Sequence, residues 1–279
     1  MKTYVITGAS DGIGAELALQ LAQRRRGHAA LVLAARNREK LARVATQCQE
    51  AGADAVIVPT DVTQQSQCRA LIEQAVRHFG GIDCLVNNAG MSAHALFEDI
   101  APADLGWYQD LMTVNLWGSV WCTHAALPHL KATRGQIVAV SSLAGLMGVP
   151  GRTAYSATKF AMTGFFEALR AELKPAGVAV TIAYPGVVAT EIRRRGFNAQ
   201  GRPACRSGLK EEGAMPVDEC ARQIVEGMED RRREIVMTAG GKLGRLMKLL
   251  APGVVEKIAL RVLADEVRPG AARPARAGD

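Results

Sequence analysis

Lys2-Thr3-Tyr4-Val5-Ile6-Thr7-Gly8-Ala9-Ser10-Asp11-Gly12-Ile13-Gly14 is the stretch that decides the fold. A short apolar run, readable as a strand over Lys2 to Thr7, passes into a turn with glycines at 8, 12 and 14, and a helical apolar pattern follows from Gly12 to Arg25. Glycines so placed allow a tight turn, close approach of the backbone to a pyrophosphate, and close packing of helix on strand. The helix N-terminus adds free N–H groups and positive potential. The segment Gly8, Ser10, Asp11, Gly12, Ile13 and Gly14 is therefore the candidate phosphate cradle of a cofactor site. Its spacing, Thr-Gly-x-x-x-Gly-x-Gly, departs from the common Gly-x-Gly-x-x-Gly. Any strand-to-helix turn favours glycine, and it is the position after the first strand that gives this one weight.

Working outward, apolar runs alternate with helical patterns along the chain, the signature of repeated βαβ units and a parallel sheet. Strands are expected near Lys2 to Thr7, Ala30 to Ala35, Asp54 to Pro59, Asp83 to Asn87, Gln136 to Ser142, Ala179 to Tyr184 and Glu234 to Thr238. Helices are expected near Gly12 to Arg25, Arg38 to Ala51, Gln64 to Phe79, Ala103 to Leu130, Ala154 to Lys174 and Pro216 to Glu229. The fold class is α/β, with one dinucleotide-binding and catalytic domain over residues 1–240. A chain of 279 residues that is 48% hydrophobic has ample material for one such core. Beyond it, Gly241 to Leu250 and Val254 to Ala264 show amphipathic helical spacing (extension 241–266), and the Ala-, Pro-, Gly- and Arg-rich tail 267–279 is expected to be disordered.

Composition removes several function classes. The net charge is +7, but +4 of it lies from Gly240 onward, and no aromatic-interleaved basic stripe or nucleic-acid module is present, so nucleic acid is not the expected partner. The six cysteines are scattered without Cys-x-x-Cys or a clustered histidine, so they read as reduced and packed, and no metal site is expected. The first apolar run is too short for a signal-peptide core and no stretch reaches the length of a membrane span. The expectation is a cytoplasmic chain; residues 241–264, where Lys242, Arg245, Lys248, Lys257 and Arg261 interleave with the apolar rows, also have the pattern of helices that rest peripherally on the inner face of a membrane. The same helices suit a subunit contact or a cover over the substrate mouth equally well.

About 20 residues past the glycine turn, dinucleotide-binding folds that select NAD place an acid at the end of the second strand. Here Ala35 stands there, followed by Arg36 and Asn37. A cation without an acid suits a 2′-phosphate, so the reading is NADP(H), with Arg36 and Asn37 at the phosphate.

Chemistry enters at Tyr155-Ser156-Ala157-Thr158-Lys159. On a helix the tyrosine and the lysine, four apart, share one face. A fixed cation favours a phenolate, which makes Tyr155 a candidate general acid or base. Ser142, at the end of the fifth apolar run, is placed to hydrogen-bond the oxygen that Tyr155 protonates. A tyrosine merely anchored by a surface lysine shows the same spacing. Asn115 lies mid-way in a long helical pattern, where its side chain competes for backbone hydrogen bonds, and a local kink there would free a carbonyl to hold water.

Thr7 to Gly14, Asp61, Asn87-Asn88-Ala89-Gly90, Asn115, Ser142, Tyr155, Lys159 and Pro185-Gly186, in this order, resemble the motifs of the short-chain dehydrogenase/reductase family over about residues 3 to 239. The resemblance implies a Rossmann-type, doubly wound, seven-stranded parallel sheet with helices on both faces. It implies that Asp61 and Val62 contact adenine, that Asn88, Ala89 and Gly90 line the cofactor cleft, and that Pro185, Gly186, Val188 and Thr190 border the nicotinamide. Asn115, Ser142, Tyr155 and Lys159 would be the catalytic set, with Tyr155 and Lys159 also touching the cofactor, and the assembly a homodimer or homotetramer. Met91, Leu143 and Leu146 join Tyr155 as apolar pocket walls, favouring a lipophilic carbonyl or alcohol substrate. From Glu191 to Met215 the chain reads as a lid, whose Arg193-Arg194-Arg195 is expected to be a solvated face. The resemblance is nearest to hydroxysteroid dehydrogenases and 3-ketosphingoid reductases, the expected activity being interconversion of a ketone and a secondary alcohol. The alternatives are a 3-oxoacyl-thioester reductase and an idle NADP-sensing protein, the latter disfavoured because both Tyr155 and Lys159 are present.

Overall fold

The computed structural model describes residues 1–205 and 213–267. Seven strands, β1 (Lys2–Thr7), β2 (Ala29–Ala35), β3 (Asp54–Pro59), β4 (Cys84–Asn87), β5 (Gln136–Val140), β6 (Ala179–Tyr184) and β7 (Glu234–Val236), form one parallel sheet in the order β3-β2-β1-β4-β5-β6-β7. The expected Rossmann-type sheet is present. Helices α1 (Gly12–Arg24), α2 (Arg38–Glu50), α3 (Gln65–Phe79), α4 (Trp107–Met112), α5 (Gly118–Thr133), α6 (Thr153–Leu173), α7 (Ile192–Arg195) and α8 (Val217–Glu229) follow the strands, and α9 (Ala239–Leu250) and α10 (Pro252–Val267) complete the described chain.

The central strands are buried on both faces, which is why they read as unbroken apolar runs rather than alternating ones. Successive side chains still point to opposite sides. Tyr4, Ile6, Leu31 and Leu33 pack with Leu17 and Leu21 of α1, Leu41 of α2 and Ile224 of α8. Val5, Val32, Leu85 and Ile137 pack on the other face with Leu71 of α3, Leu130 of α5 and Phe166 of α6. All six cysteines are free, and five of them are buried in the interior.

The chain winds outward from β1 to β3 and then returns to place β4 on the other side of β1, so the strand order reverses between β1 and β4. One hydroxyl ties this reversal. Thr7 Oγ1 donates to Val86 O at 3.2 Å and accepts from the amides of Asn88 and Ala89, both at 3.0 Å. Asn88 answers with its side-chain amide, which donates to Thr7 O at 3.0 Å and to Gly8 O at 3.2 Å.

The long helix expected from Ala103 to Leu130 is broken, with a π-helical turn at Thr113–Trp117 between α4 and α5. Two constraints act on this turn. Asn115 is fully buried and directs its side chain at a neighbouring loop rather than at its own helix. Gly118 lies so close to Val62 that an added Cβ would fall 2.8 Å from its Cβ and 2.9 Å from its carbonyl oxygen. Strand β5 stops at Val140, two residues early, because Ser142 turns to accept from the Ala144 amide and caps a single 3₁₀ turn, Leu143–Gly145. Strand β7 likewise ends short because Thr238 caps α9.

Helices α9 and α10 bear on the loop between β5 and α6. Gly241 abuts Leu143 and Gly244 abuts Met147. Lys248 Nζ donates to Leu146 O at 2.8 Å and stands over the Phe160 ring, and Arg245 pairs with Glu234. Leu263 of α10 and His94 of the loop after β4 both lie against Gly151, just before α6. The outer rows stay open to solvent, with Leu249 78% and Leu250 72% exposed, alongside Leu243, Ile258 and Leu260. Among the described residues no helix is long and apolar enough to cross a membrane. The tail expected to be disordered lies, from residue 268 on, outside the described residues, as do residues 206–212 of the expected lid.

Thr7→Val keeps the shape of a buried side chain while leaving the Asn88 and Ala89 amides without their acceptor. An unsatisfied buried group costs about 1–3 kcal/mol, so denaturant unfolding should show a loss of at least that size, with the slope unchanged. An unaltered midpoint would mean the hydroxyl does not hold the reversal.

Candidate active site

The carboxyl ends of the strands gather most of the expected residues. Gly8 and Gly12 have φ of 67° and 55°, a region that favours glycine, so the turn after β1 needs them on backbone grounds alone. At Gly14 the reason is space, because a Cβ would lie 2.3 Å from Gly8 O and 2.5 Å from Asn88 Nδ2. Helix α1 therefore starts against the turn itself. Asp11 occupies its N-cap position without capping it. The carboxylate instead pairs with Arg195 at 2.9 Å and Lys40 at 3.4 Å. Burial by itself would raise the Asp11 carboxyl, but the bonds and charges of Arg195 and Lys40 outweigh it and hold it below its ordinary value. The first amides of α1 are left with no side-chain cap, a donor set suited to an anion.

Arg36 emerges exposed at the end of β2, with no hydrogen bond or ion pair among the described residues. Asn37 does something the sequence reading did not foresee: its Oδ1 accepts from Lys40 N at 2.8 Å and caps α2, so this acceptor already serves the helix. Asp61 closes its own turn on Thr63, and Val62 backs onto Gly118.

Tyr155 and Lys159 lie near the start of α6, both buried. Lys159 Nζ donates to Val140 O at 3.0 Å and sits 5.8 Å from the centroid of the Tyr155 ring. Burial pushes the Lys159 ammonium below its usual range, Tyr155 opposes this, and Arg152 adds to it. Gly90 faces this group, since a Cβ there would stand 3.2 Å from Asn115 Oδ1 and 3.8 Å from Lys159 Nζ. Asn115 links three elements: its Oδ1 accepts from Met91 N at 2.8 Å, and its Nδ2 donates to Met91 O at 3.0 Å and Thr158 Oγ1 at 2.9 Å. The loop after β4, the π turn and α6 are thus locked around one side chain. The kink expected at Asn115 exists, with the side chain bonded outside its own helix. Ser142 lies beyond the end of β5 beside Pro185, accepting from Ala144 N at 3.2 Å.

The segment after β6 forms the opposite rim. Thr190 Cγ2 comes within 3.3 Å of where a Gly12 Cβ would be, and Val188 is buried with its carbonyl accepting from Thr190 N and from Arg193 Nη1. That last bond corrects one expectation. Arg194 and Arg195 are exposed, but Arg193 is only 8% exposed and turned inward, because the one-turn helix α7 carries it onto Val188. Gly186 touches Leu143. Met91 packs in the same apolar cluster as Tyr155, whereas Leu143 and Leu146 pack on the neighbouring cluster beneath α9.

Sequence reasoning missed Thr7 as a hub, Arg152, His94 and Leu263. Arg152 alone had a local signal, standing three residues before Tyr155 and so in reach of its ring by helical spacing. The others become neighbours only through the fold.

The family model described as short chain dehydrogenase matches residues 2–201. The 11-beta-hydroxysteroid dehydrogenase 1A of Arabidopsis thaliana is 37% identical over 262 residues, covering 91% of this chain and 73% of that protein. The 11-beta-hydroxysteroid dehydrogenase A of Sesamum indicum is 35% identical over 261 residues, with the same 91% and 73% coverage. Among solved structures, an alcohol dehydrogenase from the archaeon Thermococcus sibiricus complexed with 5-hydroxy-NADP superposes with a TM-score of 0.70 at 27% identity, covering 84% of this chain and 94% of that one. An NADH-dependent reductase responsible for alginate metabolism gives 0.67 at 25% identity, covering 80% and 87%. With a family match over 200 residues and relatives 35–37% identical over 91% of its length, this chain belongs to the short-chain dehydrogenase family of oxidoreductases.

Proposed function

We propose that the protein is an NADP(H)-dependent oxidoreductase that interconverts a ketone and a secondary alcohol on a lipophilic substrate. The observation that carries this reading is the buried Tyr155–Lys159 pair, set beside Gly90 and Asn115 at the strand ends that also hold the glycine turn. When bound, the nicotinamide supplies or receives the hydride. The chain does the rest. Gly8, Gly12 and Gly14 carry no Cβ to hold a phosphate off the turn, and the uncapped amides of α1 meet negative charge. Asn88, Ala89, Gly90, Pro185, Gly186, Val188 and Thr190 border the cleft, with Asp61 and Val62 at its adenine end.

Tyr155 gives or takes the proton at the substrate oxygen, and Ser142 polarises that oxygen. Lys159 holds positive charge beneath the ring, and Asn115 keeps the loop after β4 and helix α6 at fixed separation. Exposed Arg36, with no carboxylate at Ala35 beside it, suits a 2′-phosphate. The solved relative with 5-hydroxy-NADP supports the same choice. Met91, Leu143 and Leu146 offer apolar walls, and α9 and α10 lie against the loop that carries two of them. The hydroxysteroid dehydrogenase names of the relatives support a lipophilic substrate.

Tyr155→Phe removes the transferable proton and no cofactor contact through the ring. With a panel of steroid and long-chain ketones, NADPH oxidation should fall by about 10²-fold or more, while NADPH affinity measured by fluorescence stays nearly constant. Retention of most of the turnover would refute the assignment. Arg36→Asp replaces a phosphate partner with a carboxylate. Since hydrogen bonds to charged groups contribute about 1.5–3 kcal/mol, the ratio of kcat/KM for NADPH over NADH should drop roughly 10–100-fold. An unmoved ratio would place the 2′-phosphate elsewhere.

A further inference from the structure

Arg152 stands at the N-terminal boundary of α6, three residues before Tyr155, and its side chain does not cap the helix. A cation at this end opposes the helix dipole, so helix stability does not account for it. The side chain turns into the site instead. Nη2 donates to Ser92 Oγ at 2.5 Å and Nε to Ala93 O at 3.3 Å, which ties it to the loop just after Gly90. Its Cζ lies 4.3 Å from the centroid of the Tyr155 ring, nearer than the Lys159 ammonium at 5.8 Å. The backbone repeats the connection, with Ala95 N donating to Gly151 O at 2.8 Å and Ala95 bridging to Arg152.

Two hydrogen bonds would suffice to staple a loop to a helix. They do not require a guanidinium laid over the ring of a tyrosine that a buried lysine also approaches. A cation over an aromatic face is attracted by the ring quadrupole. Once the hydroxyl loses its proton, negative charge spreads into the ring and the attraction grows. Titratable groups of the surrounding elements are Lys159 on the same helix, His94 of the loop after β4, which lies beside Gly151, and Tyr108 of α4, which is hydrogen-bonded to Thr153 Oγ1 at 2.7 Å. His94, lowered by burial and by Arg152, is the uncharged member.

We propose that Arg152 is a positioning residue that favours the phenolate of Tyr155 through the face of its ring while holding the loop after Gly90 against α6. The inference rests on Tyr155 being the proton-transfer group, and its test reads the tyrosine directly. Protein labelled with ¹³C at tyrosine Cζ is titrated by NMR, the Tyr155 signal being identified by its loss in Tyr155→Phe. Burial pushes Tyr4 and Tyr184 up to about 12, so their signals move late and do not obscure it.

Arg152→Gln keeps a donor for Ser92 and removes the charge, Arg152→Met removes both, and Arg152→Lys keeps the charge without the planar stack. The neutral variants should raise the Tyr155 midpoint relative to the parent, with the lysine variant between. In turnover they should lower kcat more than they change KM. A midpoint unmoved in Arg152→Gln, in a protein with the parent's remaining tyrosine signals, overturns the proposal, and this variant decides the matter if Arg152→Met does not fold. If Tyr155→Phe stays active, the proton-transfer reading falls, whatever Arg152 does to the midpoint. If Tyr155→Phe is inactive and Arg152→Gln leaves the midpoint in place, only the role of Arg152 falls.

Discussion

A single buried hydroxyl, Thr7 Oγ1, joins the two halves of the sheet where the strand order reverses. With no charge and one proton, it satisfies a carbonyl of β4 and two amides of the loop after it. Asn88 returns the tie by holding Gly8 O, and Gly14 then closes on that same oxygen. The glycine turn and the Asn-Asn-Ala-Gly loop are consequently one unit. Neither can move without leaving polar backbone groups unpaired in a dry interior, where each orphan costs about 1–3 kcal/mol.

From this unit the constraint passes along the loop after β4. Met91 is clasped at both its amide and its carbonyl by Asn115, which reaches on to Thr158 of α6, one residue from Lys159. The π turn is the backbone's accommodation of that clasp, and such turns occur often at functional sites. Burial of Lys159 is costly for an ammonium, which is why its proton is held less firmly than usual. What offsets the cost is a carbonyl of β5 at 3.0 Å and the ring of Tyr155. A lysine kept in such a place for packing alone would be better replaced by an apolar side chain. On the proposed function, what keeps it there is the charge it delivers to the tyrosine.

How much of this was legible from residues follows the range of the interactions. Strands β1 and β6 end where the apolar runs end, because a strand buried on both faces announces itself by composition. The ends of β5 and β7 were overrun by two residues each, since the hydroxyls of Ser142 and Thr238 divert the chain into caps that hydropathy does not register. The helix from Ala103 reads as one element kinked at Asn115, but what fixes the kink is not local, because the partners of Asn115 are Met91 and Thr158, 24 and 43 residues away. Arg193 was read with its charged neighbours, but successive side chains on a helix point about 100° apart, and on α7 only Arg193 of the three turns inward. The tyrosine and lysine, being local to one helix, were placed together from spacing alone.

On the proposed function, these elements assemble a site for hydride exchange between NADPH and a ketone. NADPH carrying deuterium at the transferable position of nicotinamide C4, incubated with the protein and a lipophilic ketone, tests it most directly by mass spectrometry of the alcohol formed. Deuterium should appear on the carbinol carbon, one atom per NADPH consumed. Alcohol formed without the label, or no alcohol from any ketone despite bound NADPH, would contradict the account.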